Sequence, residues 1–330
     1  MKSQPFYHLR PNKFIDRHLF FQMLLGLHKF KSMEKYQYVG FGSYMFDDFK
    51  ILHNNLGMAD MISLESDADV CKRAEFNKPY QCITVLHTKS SDYIAQVFLE
   101  QPCIFWLDYT APRDFGEQFS DFCTIISKMN SGDIIRITLN AEPSSLLGRQ
   151  IERETPLEDL YKKRYKVLRD RIEPYIPSDV NENCMTSKKY PLALLRCLMT
   201  AAMQTLPPYP LQTKELFPLF SSVYADGQQM VTLTAIVVNG NDIRQNIQEC
   251  LLQHENYINF KWDEPCPINV PSLTPKEIIY INNFLPIKNS TDEIKRNFDF
   301  IFQGEAEAGD PLSSYVNYYK YYPNFHHVNF

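Results

Sequence analysis

Along the first 140 residues short apolar runs alternate with amphipathic stretches, and that alternation leaves few folds open to the chain. The apolar runs are Gln37–Phe41, Met61–Glu65, Cys82–Leu86, Cys103–Asp108 and Asp133–Leu139. Helical patterns fall between them, near Tyr44–Leu56, Asp67–Phe76, Ser91–Leu99 and Phe115–Met129. In the first of these helices Phe46, Phe49, Leu52 and Leu56 recur at spacings of three and four, one apolar face for a sheet. Strands of near-continuous apolar character separated by crossover helices are covered on both faces, which requires a parallel sheet. Right-handed crossovers narrow the topology further. The expectation is an α/β protein with a doubly wound, Rossmann-like, mostly parallel sheet. A helical pattern over Asn12–His28 precedes the first strand and is expected to pack across that sheet.

The turn after the first strand carries Gly40, Gly42 and Ser43. The chain has only 11 glycines in 330 residues, so a pair at one turn is informative. Glycine lets the backbone bend tightly and lets a ligand approach without a Cβ in the way. About twenty residues further on, the second strand ends in Glu65, a spacing that suits hydrogen bonds to ribose hydroxyls. Asp67 is expected to cap the next helix instead. A third glycine at the dinucleotide spacing would fall at position 45, where Met45 stands. Close packing over a pyrophosphate needs that glycine, whereas S-adenosylmethionine has no pyrophosphate. The departure favours the methyl donor over a nicotinamide cofactor.

The fourth strand ends in Asp108-Tyr109 and the fifth in Asn140. In an open sheet the ligand crevice lies where strand order reverses, between the first and fourth strands, so Asp108 faces the reacting centre. It reads as a general base, a metal ligand or an acceptor for a cofactor amino group, or else as the partner of a helix N-terminus. His53 and His87 read as packing or surface histidines, and His326-His327 would need metal partners that the sequence does not supply.

Beyond Glu142 the alternation stops. Leu157–Ile172 is a basic amphipathic helix and Leu192–Leu206 an apolar one, so residues 142–225 read as a helical insertion or cap that would shape an acceptor pocket. Residues 1–141 form the cofactor-binding core with its N-terminal helix. Residues 226–330 supply the remaining strands, at Gln229–Val238 and Asn256–Trp262, then C-terminal helices and an aromatic tail. Thr274-Pro275 opens one of these helices, as N-cap and first position. The charges along 157–172 read as a solvated face with nucleic acid as the alternative, and the tail from Ser313 to Phe330 as packing on the core or a partner. A net charge of −5 gives no overall drive toward nucleic acid. Eight cysteines without a C-x-x-C pair, a start (Met1-Lys2-Ser3-Gln4-Pro5) without a signal profile and no span-length apolar run point to a cytoplasmic protein that does not enter the membrane.

The stretches Tyr38-Val39-Gly40-Phe41-Gly42-Ser43, Ile62-Ser63-Leu64-Glu65-Ser66-Asp67 and Trp106-Leu107-Asp108-Tyr109 together resemble class I S-adenosylmethionine-dependent methyltransferases. More narrowly the chain resembles uncharacterised bacterial O-methyltransferase-like proteins, also through Leu9-Arg10-Pro11-Asn12-Lys13, Glu75-Phe76-Asn77-Lys78-Pro79 and Tyr224-Ala225-Asp226-Gly227. The resemblance implies a seven-stranded sheet of the methyltransferase type. It also implies cofactor contacts from Gly40, Gly42, Ser43 and Glu65, with adenine contacts near Ser90 and Asp92. Asp108 and Tyr109 would stand at the acceptor. Carried over from catechol-type enzymes, Asp108 and Asn140 would be metal ligands, but Leu139 stands where those enzymes place a second Asp, so no metal is expected. The Asn/Asp-Pro-Pro-aromatic signature of amino-methylating enzymes is absent at Asp108-Tyr109-Thr110-Ala111, which argues against base or amide N-methylation of the type in which a flipped-out base stacks on the motif aromatic. The leading reading is an O-directed methyltransferase of unknown acceptor. The rival is a non-catalytic cofactor-binding or interaction module on the same scaffold, within a bacterial defence assembly.

Overall fold

The computed structural model describes residues 10–206, 213–254, 257–286, 291–296, 298, 300 and 310–323. The parallel strands are β1 (Gln37–Gly40), β2 (Asp60–Glu65), β3 (Ile83–His87), β4 (Cys103–Asp108) and β5 (Ile134–Asn140). A long antiparallel hairpin, β6 (Lys214–Asp226) and β7 (Gln228–Asn239), and a short β8 (Cys266–Ile268) complete the sheet. Its order is β3-β2-β1-β4-β5-β7-β6-β8. The doubly wound expectation holds, and the order reverses between β1 and β4 as foreseen.

Helix α1 (Pro11–His28) crosses the sheet, and α2 (Asp47–Leu56) and α3 (Ala68–Asn77) follow β1 and β2. Helices α4 (Ser90–Gln96) and α5 (Phe115–Lys128) follow β3 and β4. Then come α6 (Arg149–Glu154), α7 (Leu157–Ile172) and α8 (Tyr190–Thr205), and after the hairpin α9 (Asn241–Leu251), α10 (Pro275–Asn282), α11 (Asp292–Lys295) and α12 (Pro311–Tyr318). At α10 the Thr274 hydroxyl accepts from the Glu277 amide while Glu277 accepts from the Thr274 amide, the reciprocal cap that Thr274-Pro275 announces. Among the described residues no helix is long and apolar enough to cross a membrane.

The sheet separates two cores. Along β4, Ile104 and Trp106 face the α1 side, while Cys103, Phe105 and Leu107 face α5 and α8. This period-two split within the apolar run of the strand is what burial on both faces demands.

Three expectations change. Among the described residues the sheet has eight strands, not seven, because β8 adds to the β6 edge. Strand β6 lies inside the stretch expected to be helical insertion; its sequence, Lys214–Asp226, holds Pro218 and polar Ser221-Ser222, which masked the strand signal. A bulge at Pro218/Phe220 accommodates the proline. The strand expected at Asn256–Trp262 does not appear over its described residues 257–262, which are turn, bend and coil. The aromatic tail packs inward: Tyr315 and Tyr318 are buried in the α1-side core with Tyr319, Tyr321 and Tyr322 against it. Phe325 and His326-His327 lie outside the described residues.

The α1 side also buries charge. Asp16 and Arg136 form an ion pair in which both side chains are 0% exposed. Asp16 further accepts from Ser222 Oγ at 2.5 Å and Thr232 Oγ1 at 3.3 Å, and Arg136 donates to Thr234 Oγ1 at 2.7 Å. Phe20 and Trp106 each lie 4.7 Å from the guanidinium carbon, ring faces toward it. Removing one member of such a pair strands a charge in the core and typically costs about 3–5 kcal/mol. Asp16→Ala should lower unfolding free energy by that amount in urea titrations. Lys72→Ala, which breaks the exposed Lys72–Asp69 pair, should leave the midpoint unchanged.

Candidate functional site

A cleft of about 1320 Å³ opens over the C-terminal ends of β1, β2, β4 and the start of α4, at the point where strand order reverses. Its walls include Phe41, Ser43, Tyr44 and Met45 of the glycine turn, Glu65, Ser90, Asp108, Tyr109 and Asp121, with Arg10 and Lys13 from the start of α1 and Gln228 from the hairpin. Among the described residues the lining runs to Asp121 and resumes at Gln228, with no side chain from the helices at 149–205. Those helices buttress the loop beside it. Arg171 donates to the carbonyls of Pro112 and Leu146, which ties α7 to the loop after β4. Arg164 pairs with Glu152 and donates to the Met185 carbonyl. Two cations of the supposed basic face thus serve internal packing.

The glycines do their work from beneath. A Cβ on Gly40 would meet the Tyr38 hydroxyl at 2.7 Å, and one on Gly42 would meet the Phe46 ring at 2.7 Å and Ser63 Oγ at 2.8 Å. The side chains of the protein itself, rather than an approaching ligand, fill those positions. The Gly42 amide donates to Ser63 Oγ at 3.1 Å, fixing the turn to β2. Ser43 and Phe46 both adopt positive φ, at 50° and 54°. Such non-glycine residues store about 1–3 kcal/mol of strain each and need a well-packed surround.

At the tip of β2, Glu65 lines the cleft and accepts from the Asp67 amide at 3.3 Å. Burial raises its carboxyl above the ordinary 4.5. Asp67 takes the capping role foreseen for it, accepting from the Asp69 and Val70 amides at 2.9 and 3.0 Å. Beside them the Arg73 guanidinium stacks over Tyr44 at 3.6 Å.

A hydrogen-bonded cluster stands on the α4–α5 side. The Tyr109 hydroxyl donates to Asp121 Oδ2 at 2.6 Å, Ser90 Oγ donates to the same oxygen at 2.7 Å, and the two hydroxyls are 3.2 Å apart. Burial, then the Asp121 charge, pushes the Tyr109 phenol well up, so it stays a donor. Burial likewise raises Asp121. Phe41 packs against Tyr109 with ring centres 5.6 Å apart. Asp92 is exposed and is not among the cleft-lining residues. Asp121 is a member that the sequence reading lacked, because it lies on the inner face of a helix with nothing local to mark it.

On the α1 side of the same strand tip Asp108 Oδ2 accepts from Lys13 Nζ at 3.1 Å. Burial pushes this carboxyl up, but Lys13, Arg17 and Arg136 together hold it below its ordinary value. Its other oxygen, Oδ1, is buried and has no hydrogen-bond partner among the described residues. Arg17 in turn faces Asp48 at 3.1 Å. Lys13 also went unremarked as a site residue in the sequence. Its helix is anchored from far along the chain, since Asp226 accepts from the Asn12 and Lys13 amides at 3.3 and 2.7 Å.

The donor set does not fit the divalent cation that a catechol-type site would hold. Such ions want several oxygen ligands. Asp108 is already paired with an ammonium. Asn140 Oδ1 accepts from the Glu142 amide at 3.0 Å and Ser145 Oγ at 2.9 Å, and its Nδ2 donates to the Thr110 carbonyl at 3.2 Å and Gln228 Oε1 at 3.3 Å. Among the described residues no three His, Cys, Asp or Glu side chains converge as a metal site.

A family model described as "Putative O-methyltransferase" matches residues 5–330. No curated protein matches the sequence. Among solved structures, similarity is found to an O-methyltransferase from Bacillus cereus in complex with SAH, at 12% identity over 67% of this chain and 80% of that one, TM-score 0.37. LepI in complex with SAM gives 11% identity over 65% of this chain and 46% of that one, TM-score 0.36. The Methanococcus jannaschii fibrillarin pre-rRNA processing protein gives 9% over 63% and 70%, TM-score 0.30.

The packing under the turn sets its own test. Gly42→Ala should lose about 1–3 kcal/mol in thermal or urea unfolding, because Phe46 and Ser63 are both fully enclosed. Adding Phe46→Leu should recover part of that loss, a coupling expected only of side chains in contact.

Proposed function

We propose, for a chain that belongs to this O-methyltransferase family, that the cleft binds S-adenosylmethionine and an acceptor hydroxyl side by side and passes a methyl group to oxygen. The observation that carries this reading is the placement of Glu65 and Asp108 on the walls of one cleft at the strand-order reversal. Glu65 is suited to the ribose hydroxyls as a carboxylate acceptor at a strand tip. The backbone of the turn at 41–45, supported from below by Tyr38, Phe46 and Ser63, supplies amides and carbonyls to the methionine portion. Phe41 and the Ser90–Tyr109–Asp121 cluster offer an aromatic and hydrogen-bonding wall for the adenine. When bound, the cofactor supplies an activated sulfonium methyl, so the protein contributes mainly orientation of the acceptor and exclusion of competing water. Asp108, with Tyr109 beside it, stands where the acceptor hydroxyl must lie. All eight cysteines are free thiols, which supports a reducing, cytoplasmic setting.

Calorimetry with S-adenosylmethionine and S-adenosylhomocysteine tests the reading, and failure of both to bind would reject it. Glu65→Gln should weaken either ligand by about tenfold or more, the worth of about 1.5–3 kcal/mol for a charged hydrogen bond. Because the Glu65 carboxyl sits above its ordinary value, it takes up a proton earlier as pH falls. Affinity should therefore decline on acidification from a higher pH than an unperturbed carboxylate would give, and Glu65→Gln should flatten that decline.

A further inference from the structure

Resting on that reading, we infer that the methyl acceptor carries a carboxylate remote from its hydroxyl, and that Arg10 and Gln228 bind this carboxylate. Both residues line the cleft. Arg10 immediately precedes α1, and its side chain does not cap that helix. Among the described residues its guanidinium has no hydrogen-bond or ion-pair partner. Gln228 is exposed at the start of β7. Asn140 Oδ1 accepts from the Glu142 amide at 3.0 Å, so Asn140 presents its Nδ2 to Gln228. That Nδ2 donates to Gln228 Oε1 at 3.3 Å and to the Thr110 carbonyl at 3.2 Å. The amide is thereby held beside the chain that leaves β4, and its Nε2 bonds to no described residue. A guanidinium fork with an amide donor beside it offers donors only, the match for a planar carboxylate.

The nearby acids are already engaged. Asp226, two residues before Gln228, accepts from the Asn12 amide and Nδ2 through Oδ1, at 3.3 and 3.0 Å, and from the Lys13 amide through Oδ2 at 2.7 Å. Asp108 is paired with Lys13. Arg10 is therefore a cation on the cleft wall without a counter-ion among the described residues. The ties from Asp226 to the first turn of α1 also hold Arg10 and Gln228 at one corner.

Position separates this corner from the cofactor. The strand order β2-β1-β4-β5-β7 sets Glu65, the glycine turn, Asp108, Asn140 and Gln228 in that sequence along the edge of the sheet. The cofactor's own carboxylate belongs with the turn at β1, three strand steps from β7. The hydroxyl belongs at β4, two steps from β7. Because the Gln228 side chain leans back to Asn140 on β5, one to two strand spacings remain between hydroxyl and carboxylate, about 5–10 Å. A rigid acceptor spans that gap when the two groups stand at opposite ends of it. A carboxylate adjacent to the hydroxyl cannot reach Arg10 with the hydroxyl still at β4.

Calorimetry on the full chain saturated with S-adenosylhomocysteine tests this with 4-hydroxybenzoate, its neutral analogue 4-hydroxybenzamide, and 2-hydroxybenzoate. The wild type should bind 4-hydroxybenzoate about tenfold or more tightly than either of the others. Arg10→Gln should erase the preference over the amide, and Arg10→Lys should restore part of it, since a lysine keeps the charge without the fork. Gln228→Leu, at an exposed position, should reduce the preference and carries the test should Arg10→Gln fail to fold. All three variants should keep the wild-type affinity for S-adenosylhomocysteine. Equal binding of the three probes by the wild type, or a preference that survives Arg10→Gln, would overturn the inference. It also falls if Arg10→Gln weakens S-adenosylhomocysteine but not 5′-methylthioadenosine, which lacks the amino-acid carboxylate, because Arg10 would then hold the cofactor. Failure of the wild type to bind S-adenosylhomocysteine defeats the cofactor reading instead, and the probe comparison on the free chain then decides the carboxylate site by itself.

Discussion

The Asp16–Arg136 pair fixes where α1 lies, and most of the cleft follows from that. A helix crossing an apolar sheet could slide by a turn at little cost if only side-chain packing held it. A fully enclosed ion pair whose further hydrogen bonds run to Ser222, Thr232 and Thr234 favours one register. Desolvation of two charges largely offsets their attraction, so the pair contributes more to choosing a geometry than to net stability. In this chain the geometry chosen brings Lys13 to Asp108.

From that register three ion pairs run along α1. Asp16 meets β5, Arg17 meets α2 and Lys13 meets β4, so consecutive turns of one helix neutralise charges on three elements. Without them Asp108 would be an enclosed lone carboxylate, and burial would raise its pKa toward that of a stronger base. With them it stays ionised and weakly basic. The same side chains that position the helix therefore set the chemistry at the strand tip.

The sequence made legible what is local. Alternation along 37–140 yielded five strands and four helices near their observed bounds, because each element carries its own period. The Asp67 cap and the Thr274-Pro275 opening were readable because a cap is a relation between residues two or three apart. What depended on distance was not. Strand β6 hid behind Pro218 and two serines, of which Ser222 makes sense only beside Asp16. Asp121 and Lys13 enter the cleft from helix faces, where a charged residue normally signals solvent. The glycine spacing announces a ligand, but not that Tyr38, Phe46 and Ser63 use the space a Cβ would take.

The hairpin makes the far half of the chain part of the site. Asp226, at the end of β6, stands in for the missing N-cap of α1, whose own preceding residue Arg10 offers no side-chain cap. Gln228, at the start of β7, reaches the cleft and accepts from Asn140. A helix N-terminus left with open amides frays within its first turn, and the first turn of α1 is the one that carries Lys13. The chain needs residues more than 200 positions apart to place a single ammonium. For that reason the parallel half of the sheet, although it holds the glycine turn and Glu65, does not by itself complete the wall of the cleft where Lys13 meets Asp108. The antiparallel hairpin completes that wall.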